Sequence, residues 1–193
     1  MRANVVDKIK QFFLQYGNLT LGEKCTQLQH ATQCATLAEH SSISDEMTVA
    51  AFLHDIGHLH AIKEKIPGTD TEGYSAHDLI GADLLERWGF PNTVTKPIAL
   101  HVQAKRFLMS TDNIYETRLS AASHKTLKKQ GKRMTDKEKD NFLNAPFAED
   151  ALRLREWDDS GKVPGLAVAP LDHWLKICSK VLSRQIFYRS TPL

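Results

Sequence analysis

Apolar residues recur at helical intervals along nearly the whole chain, and two-residue alternation is almost absent. Val5, Val6, Ile9, Phe12, Phe13 and Tyr16 make one apolar face, closed by Gly17. Thr20-Leu21-Gly22-Glu23 has the form of a capping box and predicts a second helix through Leu28, Ala31, Ala35 and Ala38. Ser44-Asp45 caps a third helix, Met47 to about Asp55, which is apolar nearly all round and so expected to be buried. Residues 59–74, with Pro67-Gly68 and Gly73, read as a polar connection. A fourth helix starts at Ser75-Ala76-His77-Asp78 and is closed by Gly89 and Pro91, and a fifth carries Pro97, Ile98, Leu100, His101 and Val102. A sixth spans roughly Leu119 to Lys129, before Gln130-Gly131. Thr135-Asp136-Lys137-Glu138 is another capping box. Helical spacing returns through Ala151, Leu154 and Trp157 and ends in Asp158-Asp159-Ser160-Gly161. The last helix follows Pro170 with Leu171, Trp174, Ile177, Cys178 and Val181. The expectation is an all-α fold, one helical-bundle domain over residues 1–193, with residues 166–193 contributing a C-terminal packing helix.

Composition narrows the class. A chain of 193 residues suits one domain, and 25% charged residues beside 41% hydrophobic ones argue against wholesale disorder. A formal charge of +2 is too mild to point to nucleic acid or a membrane surface. Cys25, Cys34 and Cys178 are odd in number and lack CxxC spacing, which argues for a reducing compartment. The N-terminus enters an amphipathic pattern without an apolar signal core, and no run is long enough to cross a bilayer. A soluble cytoplasmic protein, monomeric or weakly homo-oligomeric, is expected. Nine histidines are the one oddity, and they direct attention to metal chemistry.

His54-Asp55 follows the apolar run Ala50-Ala51-Phe52-Leu53, so its charge should be buried, and buried charges need partners or metals. From His30 to His54, His77 and His101 the steps are 24, 23 and 24 residues, each about one helical hairpin. That spacing returns successive side chains to a common centre, where helical bundles build metal sites. With Asp158 the set holds imidazole nitrogen and carboxylate oxygen, which suits iron, manganese or zinc. Four histidines and two aspartates exceed the needs of one catalytic ion with an open position. They suit two ions bridged by Asp55, with His30, His54 and Asp158 on one and His77 and His101 on the other. His40, His60, His124 and His173 read as ordinary surface or core histidines.

His30, then His54-Asp55, then a distant aspartate resembles the pattern of the HD-domain superfamily of metal-dependent phosphohydrolases. His77 and His101 mark its dinuclear branch. The segments from His101 to Leu108, from Leu119 to Gly131 and Arg155-Glu156-Trp157-Asp158 resemble the 2-amino-1-hydroxyethylphosphonate dioxygenase (glycine-forming) family, over about residues 20–165. The resemblance implies a mixed-valent Fe(II)/Fe(III) pair with O2 as co-substrate, splitting the C–P bond of a small 1-hydroxy-2-aminoalkylphosphonate into phosphate and a carboxylate such as glycine. It implies that His30, His54, Asp55 and Asp158 bind one iron and Asp55, His77 and His101 the other. His58, Lys105, Ser123, Thr126 and Gln130 would form the phosphonate pocket, and Glu23 would receive the substrate ammonium. Asp55 and Lys105 would be the residues on which catalysis turns.

Bland roles stand beside these. Glu23 fits the last position of a capping box equally well, and His58 suits a partner of the metal ligands as well as a substrate contact. The family has a tyrosine three residues before the acid, where this chain has Thr20; the smaller residue leaves room for a methylated amine. Two other functions compete: an HD-type phosphohydrolase of a small phosphomonoester or nucleotide, and a regulatory module that binds a phosphorylated ligand without turnover.

Overall fold

Every regular element in the computed structural model, which describes residues 4–190, is a helix. They are α1 (Val5–Tyr16), α2 (Gln27–His40), α3 (Asp45–Leu53), α4 (Ile56–Lys63), α5 (His77–Arg87), α6 (Asn92–Thr111), α7 (Tyr115–Arg118), α8 (Ala121–Lys129), α9 (Asp136–Leu143), α10 (Ala148–Ser160) and α11 (Leu171–Ser190). Residues 1–3 and 191–193 of the expected domain lie outside the described residues. No described helix is long and apolar enough to cross a membrane.

The short α3 is the axis of the bundle. All residues from Met47 to Leu53 are buried, and the helix packs against α2, α6, α10 and α11. Its start follows the sequence signal, since the Ser44 side chain accepts from the Met47 N–H at 3.1 Å. Phe52 stacks on Phe13 of α1 on one side, with ring centroids 4.8 Å apart, and on Trp174 of α11 on the other, at 6.3 Å. That column of three rings ties both ends of the chain to the central helix.

The structure corrects three expectations. The Thr20 capping box does not form: Leu21 and Gly22 adopt left-handed φ values of 45° and 81°, and the chain turns. The box that wins is Thr26 with Gln29, whose side chain accepts from the Thr26 N–H at 2.9 Å while Thr26 Oγ1 accepts from the Gln29 N–H at 3.2 Å. A glycine in the first turn weakens the earlier candidate, and the later one lacks that handicap. Residues 59–63 are not part of a connection but belong to α4. Its apolar face of Ile56, Leu59 and Ala61 is buried, while His60 and Lys63 made the stretch look polar. The sixth expected helix begins at Ala121, because Leu119 is extended (ψ 140°) and Ser120 is the cap.

One close approach sets the position of the site. A Cβ on Gly57 would lie 2.0 Å from the His77 carbonyl oxygen, so α4 and α5 meet backbone to backbone there. This contact lets the His58 ring lie flat on His77, with centroids 3.8 Å apart and an interplanar angle of 18°. Gly57→Ala must push the helices apart. It should cost about 2–3 kcal/mol, as overpacking against rigid backbone does, and lower Tm by roughly 5–10 °C. Thermal unfolding monitored by circular dichroism checks this, and an unchanged Tm would refute the close-packing argument.

Candidate metal centre

The chain breaks helix to present its central pair. α3 ends at Leu53 and α4 begins at Ile56, leaving His54 and Asp55 at the junction, Asp55 with φ −97° and ψ 5°. His54 keeps helical angles (φ −58°, ψ −34°) while Asp55 departs from them, and both side chains reach the same interior cluster. His54 Nε2 lies 3.5 Å from Asp55 Oδ1. His30 arrives from α2, His77 from the start of α5, His101 from the middle of α6 and Asp158 from the end of α10. The distances from Asp55 oxygens are 3.5 Å to His30 Nε2, 3.3 Å to His77 Nε2 and 3.9 Å to His101 Nε2. Asp158 Oδ1 is 3.2 Å from His30 Nε2 and 3.8 Å from His54 Nε2.

The four imidazoles share one orientation. Each directs Nδ1 at a backbone carbonyl: His30 at Gly161 (2.8 Å), His54 at Ala51 (2.9 Å), His77 at Tyr74 (3.0 Å) and His101 at Ile98 (2.7 Å). A carbonyl accepts only, so Nδ1 carries the proton and the Nε2 lone pair faces the cluster, as a metal ligand requires. His58 is wired the other way. Its Nδ1 accepts from the Tyr74 N–H at 2.9 Å, which puts the proton on Nε2. His58 therefore faces the centre as a donor, 3.9 Å from Asp55 Oδ1, and not as a ligand.

The electrostatics call for cations. Burial opposes ionisation of Asp55, yet His54, His77 and His58 hold its carboxyl well below the usual carboxylate range. Burial likewise opposes the Asp158 charge, which Arg155 and Lys162 hold in place. Burial disfavours a charged His54, but Asp55 and Asp158 push it up to about 9. His58 and His101 are driven well below the ordinary value, first by burial and then by His77. His54 Nε2 is fully buried with no hydrogen-bond partner, an unsatisfied nitrogen beside two carboxylates. Nitrogen and oxygen donors in this arrangement fit two metal ions, with Asp55 between them.

Cys34 is also close enough to His30 and His54 to be considered a ligand. Its sulfur sits on the Nδ1 side of His30 and donates to the Trp157 carbonyl at 3.4 Å, and burial pushes the thiol up. With its hydrogen on that carbonyl and its sulfur nearer Nδ1 (3.6 Å) than Nε2 (3.9 Å), Cys34 stands behind the Nε2 edge of His30 that faces the cluster.

The centre opens onto a cavity of about 50 Å³. Glu23, His58, Lys105, Ser123, Thr126 and Gln130, the six residues expected to meet substrate, all line it. Lys105 is buried and donates to Thr126 Oγ1 at 3.2 Å. Burial and the charge of Arg155 lower it to about 7. Glu23 has no capping role; it accepts from Ser120 Oγ at 2.6 Å at the start of α8. Thr20 is exposed and does not line the cavity. The four histidines read as ordinary stand outside the cluster: His40 is exposed, His60 packs on Phe12, and His124 and His173 pair with Glu116 and Glu39.

Two cavity residues escaped the sequence reading. Arg155 donates to the outer oxygen of Asp158 and to Asp159, which anchors the end of α10. Lys162 lies four residues past Asp158 and reaches back to it at 3.2 Å. The same spacing separates His101 from Lys105, and that repetition was the available signal.

Comparison with known proteins follows the geometry. The HD domain family model matches residues 27–154. An uncharacterized protein of Acanthamoeba polyphaga mimivirus is 36% identical over 179 residues, covering 92% of this chain and 82% of that protein. Hydroxymethylphosphonate dioxygenase of Gimesia maris is 39% identical over 173 residues, 88% of this chain and 84% of its own. [1-Hydroxy-2-(trimethylamino)ethyl]phosphonate dioxygenase (glycine-betaine-forming) of Leisingera caerulea is 33% identical over 186 residues, 96% and 94% of the two chains.

The bridging position of Asp55 leads to a clear expectation. Asp55→Ala should lose both metals, whereas Cys34→Ser should keep the wild-type metal content. Elemental analysis of the purified variants decides, and an Asp55→Ala protein that retains one metal per chain would overturn the bridging role.

Proposed function

This chain belongs to the HD-domain family, and we propose that it is a metal-dependent oxygenase of that family. In this reading it uses O2 to cleave the C–P bond of a small 1-hydroxyalkylphosphonate, releasing phosphate and a carboxylate. One juxtaposition carries the reading: the cluster around Asp55 opens directly onto an anion cradle of Lys105, Ser123 and Thr126. The names of two relatives, both phosphonate dioxygenases of comparable length, support the same reaction class.

His30, His54 and Asp158 would hold one iron, His77 and His101 the other, with Asp55 shared. An Fe(II)/Fe(III) pair would supply Lewis-acid polarisation of the substrate oxygens and the redox chemistry that O2 needs. The protein's own work is orientation and charge. Lys105 neutralises the phosphonate with the Ser123 hydroxyl as a donor beside it, while Thr126, which donates to the Ser123 carbonyl, positions the ammonium. The Nε2–H of His58 donates to an oxygen of the substrate from above the centre. No side chain is set as a general base for the C1 hydrogen: the four ligand imidazoles have Nδ1 tied to carbonyls and Nε2 turned to the cluster, and His58 presents a proton.

Two measurements test this. Phosphate release from hydroxymethylphosphonate by the iron-loaded protein should require O2; release that continues under anaerobic conditions means a hydrolase. Affinity should also follow the Lys105 charge, which in the free protein is present below about 7 and lost above it. The anaerobic Kd should rise with pH beyond that point, by up to about tenfold per unit until the bound-state pKa is reached. Lys105→Arg, charged throughout, should flatten the profile. A wild-type Kd constant from about pH 6 to 9 removes Lys105 from phosphonate binding.

A further inference from the structure

Lys162 is a half-buried cation with a complete set of partners. Its ammonium lies 3.0 Å from Ser123 Oγ, 3.1 Å from Glu23 Oε1 and 3.2 Å from Asp158 Oδ1. Three donors meet three acceptors, so no hydrogen is left over.

This arrangement consumes the carboxylate that a cationic substrate would need. Four acidic side chains line the cavity among the described residues. Asp55 and Asp158 belong to the metal cluster. Glu72 at the rim is paired with Lys129 at 3.2 Å and lies 3.7 Å from Lys125. Glu23 is held by Lys162 and Ser120. The lining residues include no Phe, Tyr or Trp, so no aromatic cage receives a quaternary ammonium.

We propose that Lys162 determines specificity by occupying, from the protein's side, the place beside Glu23 where a substrate ammonium would be received, so that the site takes a 1-hydroxyalkylphosphonate without a cationic group. The proposal rests on the phosphonate reading above. It replaces the amino-substituted substrate, and with it glycine as product, that Glu23 suggests in the sequence. The small volume of the cavity agrees, since a bare hydroxymethyl group asks for little room beside the phosphonate.

The test uses the metal-loaded protein under anaerobic conditions, titrating hydroxymethylphosphonate and 2-amino-1-hydroxyethylphosphonate by calorimetry, with aerobic phosphate release measured in parallel. Wild type should prefer the amine-free compound by about tenfold or more, the scale of one unpaired charge in a binding site. Lys162→Met should free Glu23 and shift that preference by about tenfold toward the amino compound, and adding Glu23→Gln should abolish the gain. Lys162→Arg, which keeps the charge, should keep the preference. Equal affinities in wild type, or a parallel loss of both ligands in Lys162→Met, overturns the proposal and leaves Lys162 a structural ion pair. The wild-type comparison needs no variant to fold. A preserved affinity ratio with no O2-dependent phosphate release sinks the oxygenase reading and supports the role of Lys162. O2-dependent release from the amino compound in preference does the reverse.

Discussion

Two carboxylates, Asp55 and Asp158, are brought into the middle of a helical bundle, and much of the architecture answers that fact. An ionised carboxylate taken out of water costs on the order of several kcal/mol even after relaxation. Neutral protonated carboxyls would avoid the cost, but the surroundings hold both groups ionised. The charge is met from inside by imidazole nitrogens and from outside by Arg155 and Lys162. What remains at the centre is an orphaned Nε2 on His54 and two carboxylates, a site that attracts positive charge more strongly than the protein itself satisfies.

The backbone makes that centre by interrupting its helices where the ligands sit. His54 and Asp55 occupy the α3–α4 junction, His77 opens α5, and Asp158 stands in the last turn of α10. Carbonyls near these breaks serve as second partners: Ala51 holds His54, Tyr74 holds His77, and Gly161 holds His30. The tautomer of each ligand is thus set by backbone, not by another titratable side chain. The same Tyr74 residue, through its N–H, sets the opposite tautomer in His58. One loop residue therefore turns the Nε2 lone pair of one histidine toward the cluster and makes a donor of its stacked neighbour.

Much of this was legible before any coordinates. The ligand set stood out because hairpin-length spacing repeats from His30 to His101, and because His54-Asp55 follows an unbroken apolar run. α1, α3 and α9 announced themselves through spacing and caps. The misreadings share a cause: local signals compete, and a sequence does not say which prevails. Two capping boxes of the same form lie six residues apart, at Thr20 and Thr26, and the glycine in the first decides between them. α4 looked like a connection because His58, His60 and Lys63 interrupt its apolar positions, although five of its eight residues are buried. Lys162 was harder to read for a different reason: its four-residue step from Asp158 was visible, but its partners were not. Its importance depends on Glu23 and Ser123, 139 and 39 residues away in sequence, and no local pattern reports such a meeting.

The two lysines show how one spacing produces two chemistries. Lys105 follows His101 by four residues along α6, and Lys162 follows Asp158 by four just past the end of α10, so both stand beside the cluster. Lys105 has a hydroxyl, Thr126, as its hydrogen-bond partner, and it feels Arg155 and Lys162 as like charges, so its proton is weakly held. Lys162 touches two carboxylates, and its proton is held firmly. An anion entering the cavity meets one ammonium whose charge is uncompensated and one already neutralised. The first gains a partner when a phosphonate binds; the second gains nothing and keeps Glu23 closed to other cations. On the proposed function, binding energy would thereby go to the phosphonate end of the substrate, and the opposite end would be left small and uncharged.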